Sequence, residues 1–110
     1  MNAGKLASQS GHAFLDAFLA ASTLYPKTTE LYRSTGHGIK ICLACPSLDE
    51  LLRTRDQLHE SNIPHALITD LGYTQFEGRS TITALGFGPV RRQEVYEFTN
   101  QFSLLRKCTV

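Results

Sequence analysis

Short apolar runs at residues 39–44, 66–68 and 81–87 alternate with longer stretches whose apolar residues recur at helical spacing, a pattern that commits the chain to layered α/β packing. The first long stretch predicts a helix over about residues 4–22. Leu6, Phe14, Ala17, Phe18 and Ala21 form its apolar stripe, with Lys5, Gln9 and His12 on the other face. Pro26, suited to a first helical turn, predicts a second helix to about Arg33, ended by Gly36 and Gly38. Ser47 followed by Glu50 has capping-box spacing and predicts a helix to about Glu60, broken by Asn62 and Pro64. Val95, Phe98, Phe102 and Leu105 predict a closing helix after Gly88 and Pro89.

The three apolar runs read as strands, the first of them buried. The short loop between the last two implies an antiparallel pair. The expected architecture is a three-layer α/β/α sandwich with a small mixed sheet. A chain of 110 residues, 42% hydrophobic, suffices for one domain over residues 1–110. Three strands are few for such a sheet, and none precedes the first helix. Either another element is expected in that place, or further chain upstream of Met1.

A formal net charge of +1 means that any contact with nucleic acid must come from a local basic patch. Cys42, Cys45 and Cys108 make an odd count with no disulfide framework, and nothing reads as a secretory leader or a long apolar span. A cytoplasmic protein with no membrane association is expected. Cys42 and Cys45 form a C-x-x-C, but within a strand their odd separation sends the two thiols to opposite faces. Neither metal nor cofactor is expected.

Two polar clusters stand out. Lys5, Gln9, His12 and Asp16 recur three or four positions apart and share one helical face. Asp70-Leu71-Gly72-Tyr73-Thr74-Gln75 crowds an acid, a hydroxyl and an amide around a glycine turn after an apolar strand. Together they predict one site. Each residue also has a plainer reading: Lys5 and Asp16 as solvated helix residues, Gln9 as a surface amide, His12 as a hydrogen-bonded side chain. Asp70 and Thr74 are natural turn-formers, bonding the backbone two residues on. His37, His59 and His65 have no motif partner and are assigned to surface or turn roles.

The clusters closely resemble, over nearly the whole chain, the archaeal and eukaryotic-type peptidyl-tRNA hydrolase family. Its first signature stands here as Met1 to His12, carrying Gly4-Lys5, Gln9 and His12, with Ser8 replacing the usual alanine. Its second is Asp70 to Gln75, followed by Thr83-Ala84-Leu85-Gly86-Phe87-Gly88-Pro89. Leu71 replaces an alanine, Tyr73 stands where a basic residue is common, and the turn before Thr83 is one residue longer. The hydrophobic strand and Arg-x-Asp-Leu turn that the family carries before that methionine are not in this sequence.

The resemblance implies hydrolysis of the ester joining a peptide to the terminal ribose of tRNA, without a metal. It implies that Asp70 accepts a proton from water or fixes Lys5, that Lys5 steadies an oxyanion or a terminal phosphate, and that the two form an ion pair. Thr74 and His12 complete the implied catalytic set. Gln9, Gln75, Thr83 and Arg79 are the implied substrate contacts; Arg91 and Arg92, at a predicted helix start, are further candidates for a tRNA-facing surface, with no footprint assigned. A homodimer is also implied. The alternative is a non-catalytic RNA-binding or protein-interaction module on the same fold, against which stands the joint presence of Lys5 and Asp70.

Overall fold

The computed structural model describes residues 1–35, 37–72 and 79–106. Helix α1 spans Ala3–Leu24, started by the Asn2 side chain, which accepts the Lys5 backbone N–H at 2.9 Å and so fixes Lys5 in the first turn. Helix α2 follows as Pro26–Ser34 with its proline in the first turn, close to the expected bounds. It packs on α1 through Phe18 and Tyr32, whose ring centroids are 6.3 Å apart. Helix α3 is Leu48–Glu60, capped as its sequence predicts by the Ser47 hydroxyl, which accepts the Glu50 N–H at 3.2 Å. It stops where Asn62 turns to a φ of 56°.

Strands β1, His65–Asp70, and β2, Thr81–Phe87, pair antiparallel from His65 opposite Phe87 to Asp70 opposite Thr81. Helix α4, Arg92–Thr99, closes the described fold. This is the expected α/β arrangement, and its layers follow from strand alternation. Leu85 and Phe87 point to one face of the sheet, where they meet Leu58 of α3, Ile63, Val95 of α4, Val90 and Phe98. Gly86 points to the other face, directly under Ala13 of α1.

Three expectations fail. Residues 39–44 form no regular strand: they make one antiparallel bridge, Leu43 with Leu104, flanked by bonds from Ala44 N to Ser103 O and from Leu105 N to Cys42 O. Ile39 is 72% exposed, so the run is not buried. An apolar, β-branched run becomes a strand only where a neighbour takes its backbone groups along its length. Among the described residues it meets that neighbour at one place. The closing helix ends at Thr99, because the chain beyond it leaves to make that same bridge. Gln9 is 4% exposed, on the buried face with Ala13, Ala17 and Ala21.

That buried face of α1 carries only methyl groups beyond Gln9, which lets the helix backbone come close to the sheet. A Cβ built on Gly86 collides with the carbonyl group of Ala13, backbone against backbone, which no rotamer change relieves. Gly86→Ala should destabilise the fold by about 1–3 kcal/mol, at the upper end of overpacking costs. A urea midpoint equal to the parent's would remove the close approach as a structural requirement.

Candidate active site

The site is assembled where the first two turns of α1 pass over the end of β1. Lys5 Nζ lies 2.9 Å from Asp70 Oδ1, an ion pair joining segments 65 residues apart, with side chains only 14% and 12% exposed. Gln9 Nε2 reaches the same oxygen at 3.5 Å, and the Thr83 hydroxyl donates to Gln9 Oε1 at 2.6 Å. The other carboxylate oxygen, Oδ2, accepts the Gly72 N–H at 2.8 Å. Gly72 holds a φ of 85°, and a Cβ there would strike the Arg79 backbone, so the two ends of the intervening loop are pinched together beside the carboxylate.

The turn-forming reading of Asp70 holds on one oxygen, and the ion pair with Lys5 occupies the other. Oδ2 closes the aspartate turn to the residue two ahead. Oδ1 faces the cation and the amide. Lys5 and Gln9 are equally removed from their plainer reading, since neither is a solvated helix residue.

A groove of about 540 Å³ opens from this pair, walled by Lys5, Gln9, His12 and Asp16 on α1 and by Leu67, Ile68, Thr69, Asp70 and Leu71 on and after β1. Leu71, 57% exposed, gives the groove an apolar lip. Among the described residues β1 is paired on its β2 side only. His12 is exposed on the groove wall. Thr74 and Gln75 lie outside the described residues. Arg79 enters β2 behind Gly72, while Arg91 and Arg92 are exposed at the start of α4. The Gly72 N–H is the backbone group two residues on that the turn-forming reading of Asp70 expects. His65 has a local role, its Nδ1 lying 2.9 Å from the Ile63 carbonyl.

The hydrogen bond from Lys5 holds the Asp70 carboxyl below the ordinary carboxylate range, with help from the Gly72 N–H and the charges of Lys5 and His12, and against a smaller opposing effect of desolvation. A carboxylate so supported stays ionised at neutral pH. It is a weak proton acceptor and a strong anchor for a cation. The arrangement can hold an ammonium at the mouth of the groove and orient a water against it.

A carboxyl depressed in the folded state stabilises that state above its unfolded pKa, and the stabilisation is lost as pH falls through the folded value. The parent should therefore lose stability on acidification from about pH 4 downward, and Asp70→Asn should lose less over the same range. Thermal melts of both from pH 5 to pH 2 check this; parallel curves would show that the pair does not depress Asp70.

Comparison with known proteins finds relatives along nearly the whole chain. The family described as peptidyl-tRNA hydrolase PTH2 matches residues 1–105. The chain is 36% identical over 106 residues to a peptidyl-tRNA hydrolase of Methanopyrus kandleri, covering 96% of this chain and 89% of that protein. It is 35% identical over 109 residues to one from Sulfurisphaera tokodaii, covering 96% and 88%, and 30% identical over 105 residues to one from Methanocaldococcus jannaschii, covering 96% and 90%.

Proposed function

The chain belongs to the peptidyl-tRNA hydrolase PTH2 family, and from that premise we propose that Lys5 and Asp70 carry out hydrolysis of the ester bond of peptidyl-tRNA, releasing tRNA and peptide. The observation that carries the assignment is the 2.9 Å ion pair, which joins the two sequence motifs at the mouth of one groove.

Hydrolysis of an ester needs a positioned water and a stabiliser for the oxyanion that forms on the carbonyl. Asp70 is supported as an anchor and water-orienting acceptor, because its low pKa makes it a poor final base. The Lys5 ammonium, anchored by it and lining the groove, is the cation assigned to the oxyanion. His12, on the same wall, has a ring that both donates and accepts and is placed to pass a proton to the leaving ribose oxygen. Thr74 and Gln75 enter as further water or substrate ligands on the strength of their motif positions, and Arg79 as a phosphate contact beside Gly72. The intact ion pair favours catalysis over the alternative of a non-catalytic module.

The test is single-turnover release of tRNA from a blocked aminoacyl-tRNA in the presence of EDTA. Lys5→Ala and Asp70→Ala should each lower the rate by about 10²–10³ while the variants remain folded. An unchanged rate for Asp70→Ala would remove the site assignment.

This reading also places the enzyme in the cytoplasm and makes it a homodimer. The dimer is supported by Leu15 and Leu19, one turn apart on α1 and 56% and 55% exposed. Light scattering should return twice the chain mass of 12.2 kDa, and Leu15→Glu with Leu19→Glu should return the monomer. A parent at the monomer mass would overturn that part.

A further inference from the structure

We propose that Thr83 is a positioning residue, delivered by a β-bulge to lock the Gln9 amide with its NH2 end toward Asp70. The inference rests on Asp70 serving the hydrolysis, and it assigns Thr83 and Gln9 to the internal scaffold of the site in place of direct substrate contact.

β1 and β2 pair as Ile68 with Ala84 and then as Thr69 with Ile82, so Thr83 has no partner and bulges from the ladder. In a regular strand Thr83 would share a face with Leu85, which packs toward Leu58 and Val95. The extra residue breaks the alternation, and Thr83 emerges instead on the α1 face that Gly86 presents. Bulges commonly re-aim one side chain beside a functional site. Here the ladder gives up a pairing position to bring a single hydroxyl under α1.

What that hydroxyl does follows from the symmetry of a primary amide. The two ends of Gln9 are nearly identical in shape, so packing does not decide which faces the carboxylate. With Gln9 only 4% exposed, water does not settle it either. The two partners settle it together: the Asp70 carboxylate, which only accepts, takes the NH2 end, and the Thr83 hydroxyl donates to the carbonyl end at 2.6 Å and holds it there. Once Oε1 is held by Thr83, Nε2 is the end that faces Asp70 Oδ1. The reversed amide would set a carbonyl oxygen against the carboxylate and would make the hydroxyl give up its donation and turn acceptor. Thr83 thus acts on Asp70 without touching it.

The charged and titratable groups around Asp70 are Lys5, His12 and Asp16 on α1, with Arg79 entering β2 behind Gly72. None of them lies between Thr83 and Gln9 in this chain of bonds.

The experiment is the pH dependence of kcat and KM on peptidyl-tRNA for the full chain and for Thr83→Val, Thr83→Ser, Gln9→Glu and Asp70→Ala, with circular dichroism of each. Thr83→Val keeps shape and removes the donor, so kcat should fall about tenfold, the acid limb should move to higher pH and KM should stay. Thr83→Ser should restore the parent profile. Gln9→Glu should also raise the acid limb, since it turns a carboxylate toward Asp70, and it carries the test should Thr83→Val not fold. A Thr83→Val profile equal to the parent's would overturn the proposal, as would a raised KM with the limb unmoved, the mark of direct substrate contact. If Asp70→Ala retains full activity, the failure belongs to the assignment of Asp70. If Asp70→Ala is inactive and Thr83→Val is not, only the lock fails.

Discussion

The rest of the structure depends on how closely α1 lies on the sheet. Ala13 sits on Gly86 with backbone against backbone, a separation that any side chain at Gly86 would forbid. From that anchor the same helical face continues in steps of four residues, about 6 Å each, through Gln9 to Lys5. Ala13 therefore meets Gly86, Gln9 meets Thr83, and Lys5 meets Asp70. The helix works as a ruler laid against the antiparallel pair, its height fixed at one point and its chemistry delivered two turns away. Small residues at Ala13, Ala17 and Ala21 contribute little apolar area for a helix of 22 residues. What they provide is proximity.

The ion pair at the far end of that face is a poor candidate for a purely stabilising element. Partly buried pairs recover in Coulomb attraction much of what they lose in desolvation, and an apolar replacement often serves the fold as well. Asp70 shows both effects, its carboxyl held down by Lys5 and Gly72 while desolvation pushes the other way. A fold needing only a stopper for β1 would be satisfied by the turn from Asp70 Oδ2 to Gly72 N. The second oxygen, with its cation and its amide, is surplus to that need and points into the groove.

Much of this was legible in the residues because it is local. Ser47 and Glu50 spell a helix start, Pro26 a first turn, Asp70 and Gly72 an aspartate turn, and the structure has each of them. The failures are all non-local. Residues 39–44 have the composition of a strand, but pairing depends on a neighbour that no local pattern names. Phe102 and Leu105 continue the helical spacing of α4, but the chain there leaves to bond with Cys42 and Ala44. Gln9 reads as polar and so as exposed. Its position one turn before Ala13 overrides its polarity, and two partners make the burial tolerable.

Four departures from ordinary local structure gather at the site. A bulged ladder at Thr83, a left-handed glycine at Gly72, a buried amide at Gln9 and a shielded ion pair at Lys5 and Asp70 each break a local rule. All four meet at one end of β1. The capping of α3, the apolar cluster around Leu58 and Val95, and strand alternation from Leu85 to Phe87 follow local preference. Chains satisfy local preferences where only folding is at stake and give them up where a site needs geometry that folding alone would not choose. Thr83 separates the two cases most cleanly. A regular β2 would bury it against Leu58 and gain a ladder pair. The structure spends that pair to place one hydroxyl proton on the amide that faces the carboxylate.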